Sequence, residues 1–138
     1  MKKFKFLEHT ADVKFQAYGK TVEEAFENSA LALIEYVANG KVKSEKKISF
    51  NVNGKDLESL MYNFLEEILY FIDAKNFLTA KIKITLGKDK KSLNAKIFGE
   101  KIRNEKGYMH VKAVTYNDMF IKNLGGKKGW VAQVVLDI

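Results

Sequence analysis

Two hydrophobic periods meet at residues 19–22, and that seam limits what this 138-residue chain can become. Before it, Val13, Phe15 and Ala17 alternate with Lys14, Gln16 and Tyr18, the pattern of a strand with one buried face. After it, Val22, Ala25, Phe26, Ala30, Leu33, Ile34 and Val37 recur at i, i+3, i+4 and i+7, the pattern of a helix with one apolar stripe. Thr21 and Glu24 have the S/T-x-x-E spacing of a capping box, which closes exposed backbone N–H groups at a helix start. The spacing predicts a strand over 13–19 and a helix from Val22, both sharing one core. It leaves Glu8-His9-Thr10-Ala11-Asp12 as a polar loop, and the Asp12 carboxylate has no evident structural task.

The remaining elements follow by the same rules. Lys3 to Leu7 alternates and reads as a short strand, and Asn39-Gly40 stops the first helix. Lys41 to Asn53 reads as a strand with Ile48, Phe50 and Val52 on one face. Asn53-Gly54 is a turn. Asp56 is placed to cap a second helix, with Leu57, Leu60, Met61, Phe64, Leu65, Ile68, Leu69 and Ile72 at helical spacing. Ala80 to Leu86 and Leu93 to Ile97 alternate about a charged turn, Lys88 to Lys91, as a hairpin. Asn104 to Gly107 is a further turn. Tyr108 to Tyr116 reads as a strand with Met109, Val111 and Ala113 inward and His110, Lys112 and Val114 outward. Trp130 to Ile138 is a last, strongly apolar strand, with Trp130 on the face of Ala132, Val134 and Leu136. The expected fold is α+β: a single two-layer domain over 1–138, a largely antiparallel sheet with two amphipathic helices.

Composition removes several chemistries. The chain has no cysteine, so it has no thiol nucleophile, thiolate zinc site or iron–sulfur cluster. No apolar run approaches the ~20 residues needed to cross a bilayer, and the N-terminus lacks the apolar core of a signal peptide. A cytoplasmic protein with no membrane association is expected. The net charge of +7 is uneven: residues 81–106 carry nine Lys or Arg and three acids, a sum of +6. Such a segment fits nucleic acid or an acidic partner, and equally a solubilised lysine-rich surface.

Few residues carry chemistry by pattern. Gly125-Gly126-Lys127-Lys128-Gly129 lacks phosphate-loop spacing and precedes a strand. His9 and His110 have no metal-ligand spacing, and no serine sits in a nucleophile elbow. Asp137 adjoins the terminal residue Ile138, so the last strand ends in two carboxylates. Those are either a solvated chain end or, with Asp12 beside them, three hard oxygen donors suited to Ca²⁺ or Mg²⁺. Lys112, on the outward side of its strand, is either a solvated lysine or a functional cation.

The stretch EHTADVKFQAYGKTVEEAFENSALAL resembles the N-terminal signature of the archease family. His110 to Tyr116 (HVKAVTY) and Trp130 to Ile138 (WVAQVVLDI) resemble two further motifs, in the family's order and over essentially the whole chain. The resemblance implies a protein cofactor without catalytic activity of its own. Such proteins activate RtcB-type RNA ligases in tRNA splicing and RNA repair, promoting ligase guanylylation and multiple turnover and broadening nucleotide use. It implies a divalent cation, Ca²⁺ or Mg²⁺, held by Asp12, Asp137 and the Ile138 carboxylate. It also implies roles for Asp12, Lys112 and Asp137 in ligase activation, and indirect contact with tRNA. Asn117 stands where the family often has histidine, so no imidazole role carries over to that position. The other readings are a chaperone-like modulator and a basic RNA-binding module.

Overall fold

A computed structural model describes residues 2–8, 11–38, 40–102 and 107–138. In chain order it has β1 (Phe4–Leu7), β2 (Asp12–Gly19), α1 (Val22–Ala38), β3 (Lys46–Asn53), α2 (Leu57–Lys75), β4 (Phe77–Leu86), β5 (Ser92–Lys101), β6 (Ala113–Asn123) and β7 (Trp130–Asp137). A short 3₁₀ turn, Gly126–Lys128, joins the last two strands. The class is α+β, as the two periods require. The strands divide between two antiparallel sheets, β1-β2-β7-β6 (sheet A) and β3-β5-β4 (sheet B). Alternation shows which face of a strand is buried but not which strand lies beside it, so the division was not legible in advance.

Each helix starts where its cap dictates. The Glu24 N–H donates to Thr21 Oγ1 at 3.1 Å, while Glu24 Oε1 accepts from the Lys20 N–H at 3.1 Å, one residue earlier than a standard box. The α2 box is complete: the Ser59 N–H donates to Asp56 Oδ1 at 2.8 Å, and Ser59 Oγ accepts from the Asp56 N–H at 3.1 Å. The bond from the Ser59 N–H, then the Ser59 hydroxyl, holds the Asp56 carboxyl below its usual range. All seven predicted apolar positions of α1 are buried, and so are seven of the eight of α2, from Leu60 to Ile72. Asn39 and residues 104–106 of the expected turn lie outside the described residues.

One apolar cluster joins the layers. Phe26 of α1 and Phe64 of α2 have ring centroids 6.0 Å apart, and Phe50 of β3 stacks on Phe64 at 6.4 Å. Phe15, Val134 and Leu136 of sheet A are fully buried in the same cluster. Burying a side chain such as Leu136 contributes roughly 1.5–3 kcal/mol. In β7 both faces are buried from Val131 to Leu136, so this strand forms the spine of sheet A. No described helix is long and apolar enough to cross a membrane.

Three expected elements change. Residues 41–45 are not strand; β3 begins at Lys46. The first hairpin strand begins earlier, at Phe77, and has a bulge between Thr79 and Lys81. The expected strand 108–116 begins only at Ala113, and its predicted facing fails. Met109 is 51 % exposed, whereas Val111 and Val114 are both buried. Inward positions three residues apart do not fit a strand, and the cause is pairing. Ala113 already opposes Asp137, so residues 108–112 run past the end of β7 with no partner to ladder against.

Candidate functional site at one end of sheet A

Three distant parts of the chain meet where β7 ends. Asp12 opens β2 rather than sitting in the preceding loop, and it opposes Asp137 in the β2–β7 register. On the other side of β7, Asp137 opposes Ala113. Directly opposed residues share a sheet face with Cβ atoms about 4.5–5.5 Å apart, so the two acids emerge together on the face away from Val13 and Leu136. The Lys112 N–H donates to the Asp137 carbonyl at 2.8 Å, which fastens the last turn of backbone before β6 to the same residue. The chain end is therefore held on both sides through Asp137 and is not a frayed tail. His9 and Thr10 lie outside the described residues.

The approach to the site is strained. Ala11, immediately before Asp12, has φ 65°. A non-glycine residue in the left-handed region costs roughly 1–2 kcal/mol, and such outliers concentrate where geometry serves a site. Asp12 is half-buried, while Asp137 and Lys112 are exposed and Ile138 is 37 % exposed. Lys112 belongs to no strand, contrary to expectation. Its backbone is fixed by the bond to Asp137 and by its neighbour Val111, which is 1 % exposed.

Helix α2 walls the edge of β6, a contact that no sequence motif announces. Glu66 Oε2 accepts from the Val114 N–H at 3.1 Å, pinning β6 to the helix. Tyr62 and Tyr116 stack at 4.4 Å with planes 7° apart, and Tyr116 remains 53 % exposed. Partial burial, then the neighbouring Tyr62 and Asp56, raise the Tyr116 hydroxyl above its ordinary value. The only sequence signal for this wall is that Tyr62, Glu66 and Tyr70 are four apart along α2. Asn117 is exposed on β6, with its N–H donated to Thr115 Oγ1 at 3.2 Å. Further along, Lys14 Nζ pairs with Asp118 Oδ2 at 3.1 Å.

Among the described residues, no three His, Asp or Glu side chains converge as metal ligands. Asp12 and Asp137, as register partners, offer two hard anionic oxygen donors. An all-oxygen set of that kind fits Ca²⁺ or Mg²⁺ and does not fit zinc.

Comparison with known proteins covers the whole chain. The model of the Archease protein family matches residues 4–138. The chain belongs to the archease family. The archease of Pyrococcus furiosus is 43 % identical over the full length of both chains, and that of Sulfolobus acidocaldarius is 36 % identical over the full length of both. Among solved structures, the solution structure of a Methanobacterium thermoautotrophicum protein is similar over 100 % of both chains, with a TM-score of 0.84 at 34 % identity. The archease fold thus unites the segments whose motifs first suggested the family.

Proposed function

We propose that this archease activates an RtcB-type RNA ligase in tRNA splicing and RNA repair, acting on its partner rather than by catalysis of its own. The supporting observation is that Asp12 and Asp137, from opposite ends of the sequence, are direct register partners with Lys112 tethered to the second of them. Asp12, Asp137 and the Ile138 carboxylate would hold a divalent cation, which supplies charge to neutralise phosphate or carboxylate oxygens. The chain's own residues do the rest. Lys112 offers an ammonium to anionic oxygens at the same edge. The bond from its backbone to Asp137 holds the Lys112 main chain beside the acids, and the Glu66–Val114 bond holds the following strand against α2.

Guanylylation builds negative charge around a nucleotide triphosphate, and preorganised charges stabilise such a step most where water is excluded. An edge carrying both a bound cation and an ammonium matches that demand when pressed into a ligase cleft. The test separates direct action from docking. Asp12→Ala, Asp137→Ala and Lys112→Ala are assayed for ligase binding and for stimulation of repeated ligation of 3′-phosphate RNA. Direct action predicts binding retained and stimulation lost. Wild-type stimulation by all three variants would remove the assignment.

A further inference from the structure

The outer face of sheet B carries a second organised set of side chains, far along the sequence from Asp12 and Asp137. Its inner face, with Val52, Leu93, Ala95, Ile97 and Ile84, is buried in the core. Register fixes what the other face presents. Lys47, Phe98 and Lys81 oppose one another across the three strands, and Ser49, Lys96 and Lys83 form the next row. Asn51, Asn94 and Thr85 form the third. Rows two residues apart are ~6.8 Å apart along the strands.

The four lysines are exposed: Lys47 and Lys81 flank the half-exposed Phe98 ring on the central strand, and Lys83 and Lys96 lie in the next row. Lys47 Nζ lies 6.0 Å from the Phe98 centroid. The amide row is ordered, since Asn94 Nδ2 donates to Asn51 Oδ1 at 2.9 Å. It borders a shallow depression of about 510 Å³ lined by Asn51, Asn53, Thr85, Ser92 and Asn94. No acid occupies these three rows. Glu45 and Glu100 lie beyond Phe98 at one end, where Glu100 accepts from the Lys43 N–H.

We infer that this face of sheet B binds single-stranded nucleic acid, with Phe98 as a stacking platform, Lys47, Lys81, Lys83 and Lys96 on phosphates, and the Asn51–Asn94 row against base edges. Each part has its own warrant. A flat strand face bearing a ring accepts a base by stacking, and stacking tolerates any sequence. Lysines in adjacent rows follow a backbone as point charges. An acidic peptide would use the lysines but has no use for the ring beside an amide-lined depression. A lipid surface would need several apolar anchors where this face has one. The inference does not depend on ligase activation, and its test contains no ligase.

The test is fluorescence anisotropy of a labelled ten-nucleotide oligouridylate with the full chain at 50 and 200 mM salt. Four phosphate contacts predict a log–log salt slope near −2.8, about 50-fold weaker binding over that range. Lys83→Ala with Lys96→Ala should roughly halve the slope. Phe98→Leu should weaken binding by about 5- to 150-fold without changing the slope. Lys127→Ala with Lys128→Ala, on the 3₁₀ turn, should change neither. Circular dichroism confirms folding, and if Phe98→Leu fails to fold, the lysine pair decides alone. No binding at 50 mM salt would overturn the inference. So would a slope insensitive to Lys83 and Lys96, or tighter binding of polyglutamate or of phosphatidylserine vesicles than of the oligonucleotide.

Discussion

Placing Asp12 and Asp137 opposite each other has an energetic signature that can be measured. Opposed residues have Cβ atoms about 5 Å apart, and two unit charges at that spacing repel by ~0.8 kcal/mol with the full dielectric of water between them, and by more as water is excluded. Cross-strand like charges are unfavourable by a comparable amount. This pair term exists whatever else Asp12 contacts, and a double-mutant cycle isolates it. We predict that Asp12→Asn, Asp137→Asn and the double variant, unfolded in urea with EDTA, yield a coupling of roughly 0.2–1 kcal/mol in the repulsive direction. In millimolar Ca²⁺ the sign should reverse, because the pair then acts together. A cation present at 100 times its Kd adds about 2.7 kcal/mol to wild type, and each single variant should lose most of it. For a chain of this length that is a rise in Tm of several degrees. A coupling that is zero in EDTA, or that has the same sign and size with and without Ca²⁺, would refute the reasoning.

Three further outcomes follow from packing and burial. Gly99 lies under the β4 bulge, where an added Cβ would sit inside the contact shell of the Leu78 carbonyl oxygen; Gly99→Ala should cost ~3 kcal/mol or more, and a melting temperature near wild type would show that β4 yields freely. Glu27 accepts from the Ile84 N–H at 2.9 Å, but burial, its largest influence, raises its carboxyl above the ordinary value. The folded state therefore keeps a proton that the unfolded chain releases, so this group's contribution is fully present below the unfolded pKa and lost as pH rises through the folded one. Glu27→Gln should gain stability relative to wild type at pH 7 and not at pH 4; a larger gain at pH 4 would contradict it. Trp130 is half-buried, with Lys90 Nζ 5.4 Å from its ring centroid, so Trp130→Ala should cost about half of the ~3–5 kcal/mol of a fully buried ring; urea melts that lose the full amount would mean the ring packs deeper.

The helices were legible because their apolar stripes and caps are local: Val22 to Val37 and Leu60 to Ile72 carry their own period and start signals. Pairing is not local, and the errors cluster there. Met109, Val111 and Ala113 alternate as a strand should, yet β7 ends before Met109 or Val111 could pair, and the chain turns Val111 and Val114 inward instead. The β6 bulge between Thr115 and Phe120, with Asp118 at φ 53°, likewise has no advance signal in the sequence. The candidate site was legible as residues but not as geometry. Asp12, Lys112 and Asp137 stood out by motif, whereas only the register shows two of them opposed. Glu66 and Tyr62 were hidden within an ordinary amphipathic helix.

Ligase activation is tested most directly by transfer of labelled GMP from GTP to an RtcB-type ligase during repeated turnover. The predicted result is that wild-type archease raises the labelled fraction in each cycle, while Asp12→Ala, Asp137→Ala and a chain extended by one residue beyond Ile138 do not. A ligase guanylylated equally well without archease, or equally well with all three variants, would contradict the account.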